Sequence, residues 1–176
     1  KQNADGFNAF DSFNYPHLCE AGVKFTFAKH HILKPDYSKK MIPHFNMDPN
    51  VMVFSLFPGI QASIFGHVLD APELKGVVMR SFGSGNAPQQ PWLMRLLKDA
   101  SERGVTIVNI SQCGAGFVEM SRYDNGYQLK DTGVISGHDS TVEAAVTKLM
   151  YLHGQYEDTN TVRELMCKSL AGEISI

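Results

Sequence analysis

The sequence predicts an α/β domain in three layers on a parallel sheet, preceded by the tail of a larger α/β domain. Three observations carry that prediction. Short β-branched runs, VMVFSLF (51–57), GVVMRSF (76–82) and VTIVNIS (105–111), recur at intervals of 25 to 29 residues. Each is continuously apolar, as strands covered on both faces are. Stretches of helical periodicity fill the intervals, and that spacing suits βαβ units.

Taken in order, residues 1–48 read as the end of the preceding domain plus a linker, and residues 49–176 as the domain proper. The first segment is rich in aromatics and turn formers (FNAFDSFNYPH) and holds one predicted strand, VKFTFAKHH (23–31). It ends in KPDYSKKMIPHFNMDPN (34–50), an exposed hairpin or linker. Between the first two runs, Ile60, Ile64, Phe65 and Val68 lie at helical spacing and the pattern stops before Pro72. Between the second and third, QPWLMRLLKDASERG puts Pro91 at the first helical position and Trp92, Leu93, Leu96, Leu97 and Ala100 on one face. It ends on Arg103 and Gly104, which suits a C-cap. Two further helices are predicted from capping boxes, Ser140 with Glu143 and Thr161 with Glu164.

Composition narrows the function classes. The chain is 43% hydrophobic and 19% charged, with a formal net charge of −2, as expected of a soluble globular protein. Its longest basic cluster, Lys34 to Lys40, holds three lysines around Pro35 and Asp36, so no nucleic-acid footprint is present. No apolar run approaches the roughly 20 residues that cross a bilayer. Cys19, Cys113 and Cys167 are odd in number and lack C-x-x-C spacing, which fits reduced thiols and a cytoplasmic location. The opening KQNADGF has no Met, which leaves a processed or cut amino terminus open.

The stretch RSFGSGNAP (80–88) sits where a strand passes to a helix. It is not a dinucleotide fingerprint, because Pro88 stands where the third glycine should be, and it is not a P-loop, because no lysine is near. The carboxyl ends of parallel strands nevertheless gather ligands. Three loops, 57–59, 80–86 and 111–116, are expected to meet there and to suit a small polar ligand or a subunit contact. The alternative is that Gly83 and Gly85 only supply turn conformations. Arg80, at a strand end among apolar neighbours, calls for a carboxylate or ligand partner.

GHDS (137–140) is not a catalytic triad, since adjacent side chains diverge; Asp139 and Ser140 are expected to cap a helix. Seven histidines show no metal-ligand spacing, and no G-x-S-x-G elbow occurs, so no metal or cofactor is expected.

ADGFNAFDSFNYPHLCEAGV (4–23), FPGI (57–60), LKGVVMRSFGSGNAPQ (74–89), SERGVTIVNISQC (101–113) and TGVISGHDSTVEAAVTKLMYL (132–152) together resemble the carboxyl half of cytosolic, type I L-asparaginases. The blocks occur in order over nearly the whole chain, and only 24–50 diverges. The resemblance implies hydrolysis of L-asparagine to aspartate and ammonia through a threonine nucleophile, without cofactor or metal. It further implies dimers of dimers and an amino-terminal half carrying two threonine motifs, neither of which this chain contains.

Carried over by residue, the family's triad lysine falls on Lys1, and the asparagine that reaches a neighbouring subunit's site falls on Asn86. A regulatory asparagine site would involve Arg80, Asn86, Ser111 and Cys113. The carboxylate that secreted relatives extend across the contact has no secure match, although Asp124 is available. Two other readings stand beside this one: a stand-alone amino-acid-binding regulatory domain, and the asparaginase-like subunit of a tRNA-dependent amidotransferase, which the lack of a basic patch counts against.

Overall fold

The computed structural model describes residues 2–7, 9–120 and 124–175, with side chains for all of these except 124–127. Its contacts divide the chain into two units, Lys1–His44 and Phe45–Ile176.

Among its described residues the first unit has one regular feature, an antiparallel pair of β1 (Cys19–Ala21) and β2 (Phe25–Phe27). A single strand was expected over 23–31; the chain instead turns at Gly22 to Lys24 and shortens that strand to its FTF core. His30 and His31 follow in a turn, where the His31 carbonyl accepts the Tyr15 hydroxyl at 2.8 Å.

The second unit is the three-layer α/β domain. Four parallel strands lie in sequence order: β3 (Val51–Ser55), β4 (Gly76–Ser81), β5 (Thr106–Ser111) and β6 (Ile135–Ser136). The continuous apolar runs of β4 and β5 are explained by burial of both sheet faces, whereas β3, expected to be covered likewise, is the edge strand, where no residue is buried and Val53 is exposed. Val77, Met79 and Ile107 pack against α1 (Ala62–Leu69), α2 (Pro91–Glu102) and α3 (Asp124–Asp131). Val78, Val108 and Ile110 pack against α4 (Val142–Gln155) and α5 (Thr159–Met166). Parallel register keeps the faces apart, because Val77 pairs with Ile107 and Val78 with Val108. Phe65 anchors the first layer, with its ring 4.6 Å from Phe54 and edge-on to Trp92 at 6.4 Å.

The helix between β4 and β5 forms as its sequence dictates. Pro91 opens it, Leu93, Leu97 and Ala100 are buried, and Gly104 at φ +97° closes a Schellman turn. In that turn the Gly104 amide donates to Ser101 O and the Val105 amide to Ala100 O. Arg163 of α5 then ties this helix end to its own layer, its Nη2 donating to the Ser101 carbonyl and hydroxyl, each at 2.8 Å.

Both expected capping boxes are displaced. Thr141, not Ser140, caps α4, its Oγ1 accepting the Ala144 amide at 3.2 Å; Ser140 is spent in a turn onto Gly137 O. Asp139 does not cap either. Its carboxylate accepts the Ser175 amide at 2.8 Å and holds the end of the chain. In α5 the cap is Asp158, which accepts the Thr161 amide at 2.9 Å and the Thr161 hydroxyl at 2.7 Å, so Thr161 lies inside the helix.

The segment expected as a hairpin or linker holds no strand, and its end is anchored. The Asp48 amide donates to Met150 O, Gln155 Nε2 donates to Asn46 O, and the Asp48 carboxylate meets Lys75 Nζ at 2.6 Å. The Lys75 bond holds the Asp48 carboxyl below its ordinary range. Burial pushes the neighbouring His153 imidazole down, so it stays neutral against Asp48 and Lys75.

Candidate functional site

Because all four strands run the same way, their carboxyl ends, Ser55, Ser81, Ser111 and Ser136, form one rim. The strand order never reverses and the three crossover helices share one face, so the unit lacks the crevice found at the switch point of a doubly wound sheet.

Of the three loops expected to meet at this rim, 111–116 bonds directly to 80–86, and it reaches the residue just before 57–59. Gln112 Nε2 donates to Leu56 O at 2.6 Å and to Arg80 O at 3.0 Å, joining the ends of β3 and β4. Ser111 Oγ donates to Gly83 O at 2.6 Å and accepts the Cys113 amide at 3.0 Å.

The stretch 82–86 is a closed antiparallel turn. The Phe82 amide donates to Asn86 O at 2.9 Å and the Asn86 amide returns to Phe82 O at 2.8 Å. Gly83 (φ +52°) and Gly85 (φ +109°) supply the left-handed conformations, and a Cβ on Gly85 would lie 2.7 Å from Val118 Cγ1. Its carbonyls are all engaged: Gly83 O by Ser111, Ser84 O by the Glu119 amide at 3.0 Å, and Gly85 O by Asn109 Nδ2 at 3.1 Å. The helix that follows begins only at Pro91. The turn is thus rigid, and it presents the half-buried Asn86 at its closing position.

Arg80, one residue before the end of β4, stands in register with Ile110, on the α4–α5 face. The carboxylate partner expected for it is not found among the described residues. Its Nη1 reaches Ser55 Oγ at a long 3.4 Å, and its buried Nε has no partner among the described residues. A guanidinium holds five donors in a fixed fork, so this one keeps capacity for a carboxylate. Ser111, in register with Ser81, ends β5 on the opposite sheet face from Arg80, and Cys113 is an exposed free thiol two residues on. The rim therefore gathers Arg80, Asn86, Ser111 and Cys113, but it divides Arg80 from Ser111 by the thickness of the sheet. Lys1 lies outside the described residues, as does the Asp124 side chain.

Two residues that shape this rim, Asn109 and Gln112, were not singled out in the sequence. The signal for Asn109 was available: TIVNIS places one amide between the apolar Val108 and Ile110, and it is fully buried. Two hollows of the second unit add little chemistry. One of about 490 Å³ adjoins Val118, Ser136 and His138, where burial pushes the Cys167 thiol up and makes it a poor nucleophile. Another of about 580 Å³ is lined by Met47, α4 and the last residues, and its charged groups, Lys148 and Glu173, pair with each other. Among the described residues no cluster of His, Cys, Asp and Glu could hold a metal ion, and no helix is long and apolar enough to cross a membrane.

Residues 50–166 match the family model of the glutaminase/asparaginase C-terminal domain. L-asparaginase 1 of Escherichia coli is 40% identical over 181 residues, which cover 99% of this chain and 51% of that protein. The 60 kDa lysophospholipase of Homo sapiens is 41% identical over 176 residues, covering 99% of this chain and 30% of that one. The crystal structure of L-asparaginase I from Vibrio cholerae superposes with a TM-score of 0.93 at 40% identity, covering all of this chain and 53% of that one. The chain therefore spans about half the length of these bacterial relatives.

Proposed function

The chain belongs to the glutaminase/asparaginase C-terminal domain family, and from that membership we propose that it is the carboxyl-terminal portion of an L-asparaginase that hydrolyses L-asparagine to L-aspartate and ammonia. The likeness to E. coli L-asparaginase 1 along nearly the whole chain carries this reading. Hydrolysis breaks the side-chain amide C–N bond, and a threonine supplied by the preceding half attacks the carbonyl. Lys1 belongs to the proton-handling group beside that threonine. Because this chain contains no threonine motif of that kind, it is inactive alone.

The rim then serves a subunit contact in a homotetramer. Asn86, on its rigid turn, contacts substrate in the neighbouring subunit. Arg80, Ser111 and Cys113, with Asn86, receive asparagine as an effector, the spare guanidinium donors of Arg80 matching its α-carboxylate. The protein works in the cytoplasm and needs no cofactor.

Ammonia release from L-asparagine tests the assignment. The 176-residue chain alone is expected to give none, and the same chain joined to its amino-terminal half is expected to turn over. Turnover by the chain alone, or none by the joined protein, overturns it. In the active protein, Asn86→Ala is expected to raise KM for asparagine about tenfold, equivalent to roughly 1.4 kcal/mol. Unchanged kinetics with an unchanged asparagine response would leave the stretch as a turn only.

A further inference from the structure

We propose that Asn109 is a positioning residue for the substrate turn: its buried amide fixes Gly85 and thereby the place of Asn86. This rests on the reading of Asn86 given above and extends it to a residue that touches no ligand.

The argument starts from what Asn109 does for the core. It sits in the middle of β5, fully buried, in register with Met79 of β4 and Ser136 of β6. Its neighbours along the strand, Val108 and Ile110, are fully buried apolar residues. An amide in such a place is a liability to folding unless both of its polar ends are matched. Only one is. Nδ2 donates to Gly85 O at 3.1 Å, while Oδ1 is buried with no partner among the described residues. An apolar residue of the same size would leave no such orphan, so the packing of the sheet does not explain the amide.

The turn does explain it. Residues 109 and 111 of β5 are two apart, so their side chains leave the strand on the same side. Their donors meet Gly85 O and Gly83 O, which are also two apart. The strand period is thus matched to the turn. The two bonds differ in setting, since the Ser111 bond lies at the exposed rim and the Asn109 bond is sealed beneath Val118. A bond sheltered from water stays made when solvent or ligand competes for the outer one. Asn109 also offers its backbone carbonyl to the Gly137 amide at 2.8 Å, so one residue locates the turn relative to the loop after β6.

Kinetics and amide hydrogen exchange on the intact protein, with its amino-terminal half, test this. Asn109→Leu keeps the branched shape, with bulkier ends, and removes both the donor and the orphan acceptor. It is expected to raise KM for L-asparagine about tenfold with kcat within about twofold, and to speed exchange at Gly85 and Asn86 while α2 and α4 stay protected. A KM unchanged while the wild type is active overturns the inference, as does uniform loss of protection across the sheet. A wild type without turnover instead overturns the functional reading.

Asn109→Asp supplies a second measurement should the leucine variant not fold. A protonated carboxyl can donate to Gly85 O and a carboxylate cannot. Its KM is expected to approach the wild-type value as pH falls from about 8 to about 6, a profile absent from the wild type. A KM ratio independent of pH counts against the proposal.

Discussion

Gly85→Ala is expected to destabilise the chain by about 3 kcal/mol, read as a lower urea midpoint with an unchanged slope. Two separable terms contribute. The backbone stands at φ +109°, which an L side chain adopts only with strain of about 1 to 2 kcal/mol. The added methyl would also lie 2.7 Å from Val118 Cγ1 and 3.3 Å from Asn109 Nδ2, inside the packed side of the turn. Neither neighbour moves freely, because Val118 is held by its amide on His138 O and by Ser136 Oγ on its carbonyl. Gly116→Ala separates the terms. Its φ is +100°, but nothing lies within 4 Å of the new methyl, so only the strain of about 1 kcal/mol remains. Equal losses in the two variants would show that the turn is not tightly packed. In the active protein, Gly85→Ala should also shift Asn86 and raise KM, since Asn86 closes that turn on Phe82.

The parts of the fold that were legible in the sequence are those whose cause is local. Three strands announced themselves as apolar runs, which burial on both faces accounts for in β4 and β5 but not in the edge strand β3. The helix 91–102 did so because Pro91, its apolar stripe and Gly104 all act within one element. Besides the three-residue β1 of the first unit, two elements were missed for the same reason in reverse. The two-residue β6 is too short to show any period, and α3, DNGYQLKD, has a glycine in its middle and little apolar surface. The displaced caps show a different limit. Asp139 is suited to capping by type, yet its partner is Ser175, 36 residues away in sequence, and only the folded chain brings them together. The site divides along the same line. Arg80, Ser111 and the glycine turn could be picked out by residue type at strand ends. Asn109 and Gln112 act on carbonyls 24 to 56 residues distant, and nothing local marks those carbonyls.

Lys148→Met is expected to have an effect of similar size, about 3 kcal/mol at neutral pH, and one that fades in acid. Lys148 is only 6% exposed at its side chain, and its ammonium meets Glu173 at 2.6 Å, Met166 O at 3.1 Å and Lys168 O. Methionine keeps the buried stem but leaves two carbonyls and a carboxylate without their donor. For the Glu173 carboxyl, burial pushes the pKa up, but the Lys148 bond together with the amides of Leu170, Ala171 and Glu173 outweighs it and brings the value down to about 2. A carboxyl held below its unfolded value of 4.5 adds stability above that pH and loses it as the pH falls toward 2. The wild type should therefore lose stability through this window. Lys148→Met, whose Glu173 no longer has an ammonium to favour its charge, should lose less, so the difference between them narrows from pH 7 to about pH 3. A gap that stays constant with pH would mean the lysine acts through its stem and carbonyl bonds alone. Adding Glu173→Gln to Lys148→Met should recover part of the loss at pH 7, because it removes the stranded charge that the single substitution leaves behind.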